Sequence, residues 1–372
     1  MANLTPQPLG MITTTRQLSA IRFSRCGKLL AAAGRDATLR CWNVASLETP
    51  GSIEPANPQE AKGAKPNAQA KVQLQLPELP AALGHNGWIT SLAFHPHEDF
   101  LFSADSWGQL SAWRYTEEKL AQVWTIPAAH EGWVRQLALS PDGTTLATCG
   151  LDCMIRLWST SDGKKQGELH GEEDIFSLAY HPAGKSLVSG DLRGVVKQWD
   201  LATHSIARKF EAAILYLLSF IQDVGGVRAL AFDAAGKVLA ATGTQPTGGG
   251  FVQGTPIVRF FDWETGQETQ TLKWGDATEG FVHELAFHPL GCWIGVTSGQ
   301  PGKGKCFLHN PGEAQPYFST PGLANCHSLA IHPSGGKLAV IANDGTFGQK
   351  KSQAREGIYP GNSSPIHFFA LE

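Results

Sequence analysis

The sequence lacks the features that identify several classes of protein. Its 372 residues carry a formal net charge of −3 at pH 7, and a mildly negative protein has no general attraction to nucleic acid or to an anionic membrane. Residues 1–17 contain neither a basic leader nor an apolar core of signal-peptide length, so we expect a cytoplasmic protein. An apolar stretch at 212–221 has ten residues, too few to span a bilayer.

The sequence also lacks the common signatures of catalysis. It contains no phosphate-binding glycine motif, no Gly-x-Ser-x-Gly elbow and no His-Glu-x-x-His helix. The glycine-rich stretch 247–254 is followed by no Lys-Ser/Thr pair and no evident helix, and is interpreted as a long hairpin loop. Cys149 and Cys153 have no recognisable zinc ligands nearby, so the seven cysteines are expected to pack in the core. No catalytic residue, cofactor or metal is predicted.

What the sequence does contain is a repeat. Seven times, an apolar run similar to Leu-Ala-Phe is followed by a tight turn and a second apolar run. The first runs begin at Ala20, Leu92, Leu137, Leu178, Leu230, Leu285 and Leu329. A repeat of roughly 40–50 residues is typical of propellers and solenoids. In the third repeat, residues 133–139, 145–148, 155–158 and 165–169 predict four antiparallel strands.

The repeats therefore predict an all-β, seven-bladed β-propeller built from four-stranded antiparallel blades. The last repeat ends after its third strand, 366–371, whereas the β-branched segment 11–15 precedes the first repeat. We expect this N-terminal segment to supply the outer strand of the last blade, which removes an exposed edge and closes the ring. The predicted repeats cover about 17–44, 88–115, 133–160, 174–201, 226–263, 281–310 and 325–371.

Several short motifs recur within the repeats. Before the first strand stand Gly84-His85 and Ala129-His130, and Ser140-Pro141-Asp142-Gly143 forms a turn. The third strands end in Cys41-Trp42-Asn43, Leu157-Trp158-Ser159 and Gln198-Trp199-Asp200. These residues resemble the WD-repeat (G-protein-β-like) propeller family, and the resemblance covers about residues 10–371.

The resemblance implies a buried, hydrogen-bonded tetrad in each well-formed blade. The third repeat matches it with His130, Thr148, Asp152 and Trp158. The second and fourth repeats supply His85, Ser103, Trp113 and His170, Ser189, Trp199, but their Asp residues, Asp105 and Asp191, come two positions earlier than Asp152 does. A His beside an Asp could also form a catalytic dyad, but no nucleophile accompanies the pattern. The last three repeats carry Phe261, His309 and Phe369 at the Trp position, so we expect packing to dominate there.

Two insertions interrupt the repeats. Residues 46–71 lie between the predicted third and fourth strands of the first repeat and are rich in Ala, Pro, Asn, Gln and Lys. We expect either a disordered excursion or a tail that recognises a partner. Between the fourth and fifth repeats, the insertion 211–225 carries Ile214, Leu217, Leu218 and Ile221 at helical spacing. This spacing predicts a short helix whose apolar face either packs on the propeller or docks a partner.

Alignment of the first strands gives two positions that line the channel mouth in the family. The outer position holds Gln17, Trp88, Trp133, Asp174, Gly226, Phe281 and Asn325. The inner position holds Ser19, Thr90, Arg135, Phe176, Arg228, His283 and His327. Aromatic residues interleaved with Arg are typical of protein-recognition hot spots. The predicted partner-binding residues are therefore Trp88, Trp133, Arg135, Phe176, Arg228, Phe281, His283 and His327, although both Trp side chains could instead stabilise neighbouring loops.

These patterns favour a non-catalytic scaffold or adaptor. We expect it to be a monomeric propeller within a complex and to bind an acidic or aromatic-containing peptide of a partner protein on the loop-rich face. The alternative is a small-molecule or metal-dependent hydrolase at the channel mouth, which His283 and His327 motivate. Nucleic-acid binding is disfavoured because basic residues are few and scattered.

Overall fold

Each repeat folds as one antiparallel sheet, because its short apolar runs are separated by turns that reverse the chain. The structure is a computed structural model that describes residues 3–14, 16–48, 72–218, 224–247, 254–300, 302–320, 323–343 and 363–372. These residues form a seven-bladed β-propeller, which confirms the predicted all-β fold. Blades are numbered 1 to 7 in chain order.

Blades 2 to 6 each consist of four consecutive strands. Blades 2 and 3 contain β5 (Ile89–Phe94), β6 (Phe100–Asp105), β7 (Leu110–Tyr115), β8 (Leu120–Ile126), β9 (Val134–Leu139), β10 (Thr145–Gly150), β11 (Met154–Ser159) and β12 (Lys165–His170). Blade 4 contains β13 (Ile175–Tyr180), β14 (Ser186–Asp191), β15 (Val195–Asp200) and β16 (Ser205–Glu211). Blades 5 and 6 contain β19 (Ala229–Phe232), β20 (Val238–Pro246), β21 (Gly254–Asp262), β22 (Glu268–Lys273), β23 (Phe281–Phe287), β24 (Trp293–Ser298), β25 (Cys306–His309) and β26 (Phe318–Thr320).

The N-terminal strand closes the ring, as predicted. Blade 7 is formed by β27 (Ser328–Ile331), β28 (Lys337–Ile341), β29 (Ile366–Leu371) and, at its outer edge, β1 (Pro6–Ile12). The register pairs Pro6 with Leu371 and Ile12 with Ile366. The strand lies a few residues earlier than the predicted segment 11–15, because the pairing extends to the end of β29.

The chain segment after the first insertion lies where the sequence predicts the fourth strand of blade 1, and it also ties blade 7 to blade 1, a link that the sequence does not predict. The sheet of blade 1 contains β2 (Leu18–Phe23), β3 (Leu29–Gly34) and β4 (Leu39–Asn43). The segment that follows the first insertion completes it, since the backbone N–H of Leu79 donates to Cys41 O at 2.8 Å. A few residues earlier, the N–H of Leu74 donates to Met11 O, also at 2.8 Å. One segment therefore pairs with the outer strands of two blades.

The core is divided among the blade interfaces. Seven clusters of buried apolar side chains each join residues from two adjacent blades, including blades 7 and 1. The innermost strands contact their successors around the ring, and β2 contacts β27. Burial of apolar area at every interface makes each blade depend on both of its neighbours.

Histidines at the end of four innermost strands also link adjacent blades. In each case the ring Nε2 lies near the carbonyl oxygen of a turn glycine in the next blade. The pairs are His95–Gly143 at 2.8 Å, His181–Gly236 at 2.9 Å, His288–Gly335 at 2.7 Å and His332–Gly27 at 3.1 Å. Each histidine therefore fixes the first turn of the following blade.

The insertion between blades 4 and 5 is a hairpin in its described part, so the helix predicted over 212–221 is wrong. A single 3-10 turn, Ala213–Leu215, is followed by β17 (Tyr216–Leu217), which pairs with β18 (Val224–Gly225). Leu215 is buried beneath the hairpin, whereas Leu218 is 72% exposed. A short apolar run cannot by itself distinguish a helix from a strand. Ile221 lies outside the described residues.

The first insertion begins with a 3-10 helix, Ala45–Glu48. The predicted disorder of 46–71 otherwise falls outside the described residues, as do much of the glycine-rich loop at 247–254 and the link between β28 and β29. No helix among the described residues has the length and apolar character needed to cross a membrane.

Candidate functional site

The innermost strands all begin at the same end of the channel, and their first residues surround a cavity of about 330 Å3. All seven residues that the repeats place at the inner position line this cavity. Of the residues at the outer position, Gln17 and Trp133 line it. We use the term channel rim for the cavity lining together with the adjacent Trp88 and Phe281; the lining is Gln17, Leu18, Ser19, Arg35, Thr90, Trp133, Arg135, Phe176, Arg228, His283 and His327.

Two arginines and three aromatic rings form a continuous stack on the channel rim. The guanidinium carbon of Arg228 lies 4.2 Å from the ring centre of Phe176 and 4.7 Å from that of Phe281. Arg135 lies 4.8 Å from the same Phe176 ring and 5.2 Å from Trp133. Each cation faces the electron-rich surface of a ring, which holds the flexible arginine side chains in place.

The two arginines differ in their electrostatic surroundings. Arg135 is paired with Asp174, with Nη2 at 2.7 Å from Oδ2. Within the described residues, no carboxylate lies within ion-pair distance of Arg228, and its Nε has no hydrogen-bond partner. Burial, together with the nearby charge of Arg135, lowers the pKa of Arg228 to about 10. Arg228 is therefore still a cation at neutral pH, and the carboxylate that acts on it from beyond ion-pair distance, Asp174, is already paired with Arg135.

A group of exposed apolar side chains extends outward from the channel rim over blades 2 and 3. Trp88 is 41% exposed and packs edge to face on Trp133, with ring centres 5.6 Å apart. Arg35 lies 4.7 Å from the ring centre of Trp88. Trp107 and Leu151, in neighbouring turns, are 69% and 47% exposed. Sequence alignment of the first strands misses Arg35, Trp107 and Leu151, because they belong to turns between second and third strands.

His283 and His327 meet at the channel rim, as their positions in the repeats suggested. Their ring centres are 5.3 Å apart and the rings are perpendicular. Burial lowers the pKa of His327 to about 4 and that of His283 well below its ordinary value. Both imidazoles are therefore neutral at pH 7. Across the described part of the chain, no three His, Cys, Asp or Glu side chains are grouped so that they could hold a metal ion.

The residues assigned to the tetrad of blade 3 lie within hydrogen-bond distance of one another. His130 Nδ1 is 2.8 Å from Asp152 Oδ1, and Nε2 is 2.6 Å from Thr148 Oγ1. Trp158 Nε1 donates to the same hydroxyl at 2.9 Å. Because a carboxylate only accepts, Nδ1 donates to it and Nε2 accepts from Thr148. The chain of donors and acceptors is closed and supplies no free nucleophile.

Neighbouring groups and burial shift the pKa values of the two ionisable residues in this tetrad, Asp152 and His130. Arg156 donates to Asp152 Oδ2 at 2.6 Å. Burial opposes ionisation of Asp152, but the hydrogen bonds from His130 and Arg156 hold its pKa well below the ordinary value. Burial lowers the pKa of His130, despite the nearby carboxylate. Blade 2 repeats this arrangement with His85, Ser103, Asp105 and Trp113 at 2.6–2.9 Å.

In blade 4 the predicted histidine does not take part. Trp199 Nε1 donates to Ser189 at 2.8 Å, but the side chain of His170 is 72% exposed. His170 precedes the first strand by five residues, whereas His130 precedes its strand by four, so it ends β12 instead of entering the core. The buried carboxylate of Asp191 has Lys197 Nζ at 3.6 Å, and that lysine also binds Glu172 at 3.0 Å.

Blade 6 replaces the tetrad by an aromatic cluster. His309 stands at the Trp position, and Gly295 stands at the Ser/Thr position. A Cβ atom on Gly295 would lie 2.4 Å from Trp274, so the absence of a side chain there makes room for this indole. Trp274 and His309 have ring centres 5.8 Å apart and are both buried. Packing thus takes the place of hydrogen bonding in this blade.

Comparison with known proteins identifies the repeats. The family model described as WD domain, G-beta repeat, matches residues 7–43, 78–114, 121–159 and 163–200. Each match begins in or near an outer strand and ends at the third strand of the following blade. The matched region ends with blade 4, the last blade with Trp at the third-strand position.

Curated relatives share the repeats over part of their length. Protein HIR1 of Candida albicans is 25% identical over 192 residues, covering 46% of this chain and 21% of that protein. Small ribosomal subunit protein RACK1y of rice (Oryza sativa subsp. japonica) is 28% identical over 155 residues, covering 39% and 45%. Pre-mRNA-processing factor 19 of rice is 29% identical over 160 residues, covering 42% and 28%.

The aligned part of this chain thus spans less than half the length of each of these relatives. WD-repeat proteins are typically scaffolds or adaptors for protein interaction, and most of those similar to this chain are non-catalytic. Its four matched repeats and its closed ring of seven blades show that the chain belongs to the WD-repeat family of β-propellers.

Proposed function

We propose that this chain is a non-catalytic scaffold or adaptor that binds an acidic peptide segment of a partner protein on the channel rim. The observation that carries the proposal is the stack of Arg228, Phe176 and Arg135, in which the charge of Arg228 lacks a carboxylate partner among the described residues. A carboxylate from a partner would supply the missing counter-charge and hydrogen-bond acceptor.

The arrangement of the channel rim supports strong and specific contacts. The arginine side chains are already held against aromatic rings, so little side-chain entropy remains to be lost on binding. The exposed rings of Trp88 and Trp107 add apolar area beside the charges, and Trp and Arg are the residue types that dominate binding energy at interfaces. An acidic partner should therefore bind with an affinity that falls as salt is added.

The test is affinity capture from native cell extract, followed by direct titration of acidic peptides from the captured protein. The variant Trp133→Ala/Arg135→Glu, once circular dichroism has confirmed its fold, should lose the captured protein and weaken peptide binding by at least tenfold. Lys119→Glu is the matched control, because it makes the same charge change at an exposed residue near the opposite end of blade 2.

Equal capture by the wild type, by Trp133→Ala/Arg135→Glu and by Lys119→Glu would place the interaction elsewhere on the molecule and refute the proposed site. A large loss of stability in Trp133→Ala, with binding intact, would show that the two Trp side chains serve to hold neighbouring loops. If nothing is captured and a small molecule or metal ion raises the melting temperature instead, the hydrolase alternative becomes the better hypothesis.

A cytoplasmic location is part of the proposal. All seven cysteines are free, and five of them are buried. Burial raises the pKa of the Cys41 and Cys306 thiols to about 12, so both remain protonated and unreactive. Reduced, buried cysteines are compatible with a reducing compartment. Localisation of the fluorescently tagged full chain tests this.

A further inference from the structure

The cavity of the channel rim has a surplus of positive charge. Its lining includes Arg35, Arg135 and Arg228, and no Asp or Glu is among the described residues that line it. Asp174 lies beside the cavity and takes up one of these charges, because it is paired with Arg135 at 2.7 Å. Arg35 and Arg228 are left, each without a carboxylate within ion-pair distance in the described part of the chain. Two positive charges therefore face one cavity without a matching negative group.

The two unpaired arginines lie on either side of the histidine pair. In ring order, Arg228 belongs to blade 5, the two histidines to blades 6 and 7, and Arg35 to blade 1. Burial is the main cause that lowers the pKa of His283, and the charge of Arg228 adds to it. Burial likewise lowers the pKa of His327, and the charge of Arg35 adds to it. Since the two ring centres are only 5.3 Å apart, an anion held in front of them would be attracted by both arginines.

Arg228 is already fixed in position for such an anion. Its guanidinium carbon lies 4.2 Å from the ring centre of Phe176 and 4.7 Å from that of Phe281, so little side-chain entropy remains to be lost. Its Nε is buried, so a ligand would be bound by the two terminal Nη groups. A guanidinium presents its N–H groups in a planar fork that matches the oxygens of a carboxylate or a phosphate. The fixed fork and the unbalanced charge together point to an oxyanion.

We propose that the cavity of the channel rim binds a phosphoryl group on a side chain of the partner's acidic segment, so that phosphorylation of the partner controls its recognition. This inference rests on the proposed function and names the group that is recognised. A phosphate monoester carries close to two negative charges at neutral pH and three strong acceptor oxygens. It therefore balances both unpaired arginines, whereas a single carboxylate carries one charge and balances only one of them.

The cavity favours a phosphate monoester over other anions. Two neighbouring carboxylates have the same total charge, but they come from two backbone positions, and a volume of about 330 Å3 is close to the lower limit of ligand pockets, roughly 300 Å3. A nucleic-acid phosphodiester carries one charge per phosphate. Its bases also find the Phe176 ring already in contact with Arg228 and Arg135, which leaves little of that ring for stacking.

The test measures the retention of three degenerate peptide libraries on the immobilised full-length protein. The libraries share random flanking positions, and their centre is fixed as phosphoserine, as Glu-Glu or as Ser. We expect the phosphoserine library to be retained at least about tenfold more than the Glu-Glu library, because three oxygens of one group accept hydrogen bonds from two arginines. The Ser library should be retained least.

Two variants locate the binding on the channel rim. Arg228→Gln and Arg35→Gln each remove one unpaired charge, and each should reduce retention of the phosphoserine library by at least about fivefold. Arg114→Gln is the matched control, because Arg114 also stacks on an aromatic ring, 4.8 Å from the centre of Phe100, but lies near the opposite end of blade 2. Arg35 is exposed, so Arg35→Gln keeps the test decisive even if Arg228→Gln does not fold.

Each contrary outcome separates this inference from the proposed function. Equal retention of the phosphoserine and Glu-Glu libraries would overturn the phosphoryl group and leave the acidic segment in place. No retention of the phosphoserine library, or unchanged retention by both arginine variants, would also overturn it, and capture from extract would then decide the proposed function separately. Displacement of the library by an equimolar amount of inorganic phosphate would overturn it too, because the site would then take a free anion and gain nothing from the peptide.

Discussion

The hydroxyl group of Thr148 connects two buried aromatic side chains in blade 3. It accepts a hydrogen bond from Trp158 and lies 2.6 Å from His130 Nε2. We expect Thr148→Val to lower the free energy of unfolding by about 2 kcal/mol, because a buried donor and a buried acceptor each lose their partner. Chemical denaturation should show this loss, and Thr148→Ser, which keeps the hydroxyl, should recover most of it. A valine variant as stable as the wild type would contradict this role.

Neutral histidines on the channel rim make stability depend on pH. An unfolded histidine titrates near pH 6.5, whereas burial lowers the pKa of His327 to about 4 in the folded chain. Between these values the unfolded state binds more protons, so the free energy of unfolding should fall as the pH falls from about 6.5 to about 4. Denaturation of wild type and His327→Gln across this range should show a shallower slope in the variant. His170→Gln, at an exposed site, should keep the wild-type slope.

At the scale of the element, the turns between first and second strands carry the links between blades. Gly143 and Gly184 occupy equivalent turns with the same φ of +76°. A Cβ atom at Gly143 would lie 2.5 Å from the His95 ring, whereas at Gly184 the nearest atom, of Pro141, is 3.8 Å away. Both alanine substitutions carry the backbone strain of a left-handed residue, about 1 kcal/mol. Gly143→Ala should lower the melting temperature clearly more than Gly184→Ala, and equal losses would mean that the His95 contact adds nothing.

The elements that could be predicted from the sequence are those that repeat. Regular alternation and turn residues define most blade strands, and the missing outer strand of the last repeat indicates the role of β1. The hairpin at β17 and β18 was missed because Ile214, Leu217 and Leu218 fit either periodicity over so short a run. The sequence places the fourth strand of blade 1 after the insertion 46–71, but it gives no sign that the same segment also pairs with β1 through Leu74 and Met11, because backbone hydrogen bonds between distant segments leave no pattern in the sequence.

At the scale of the whole molecule, closure should decide stability. Removal of residues 1–12 would leave the outer edge of β29 unpaired and uncover apolar side chains between blades 7 and 1. We expect the melting temperature to fall by about 5 °C or more, because a whole strand and its apolar contacts are lost; 1 kcal/mol corresponds to roughly 2–4 °C in domains of 150–250 residues and to less in a larger one such as this. The exposed edge should also promote self-association, detectable by light scattering. A synthetic peptide of residues 3–14 should restore both properties, and a truncated chain that melts as the wild type does would rule out this role of β1.

The candidate site was predictable only where it belongs to the repeat. Alignment places Arg135, Phe176 and Arg228 together on the channel rim because each begins an innermost strand. It cannot show that Arg35 reaches Trp88, since turns of different blades approach only in the folded ring. His170 shows the same limit at the level of one residue, because a single extra position before β13 moves a predicted core histidine to the surface.

The pairing of β1 with β29 also determines how the ring would respond to force. The N–H of Thr5 donates to Glu372 O at 2.7 Å, so the two strands meet at the same end of their antiparallel ladder. Tension applied between residues 5 and 372 would open these hydrogen bonds one after another, as in unzipping, instead of loading them together. The peeling would then reach Met11, where the N–H of Leu74 holds the strand from its other side. When tension is applied between residues 5 and 372, we therefore expect the β1–β29 pair to separate before the other strand pairs of the ring.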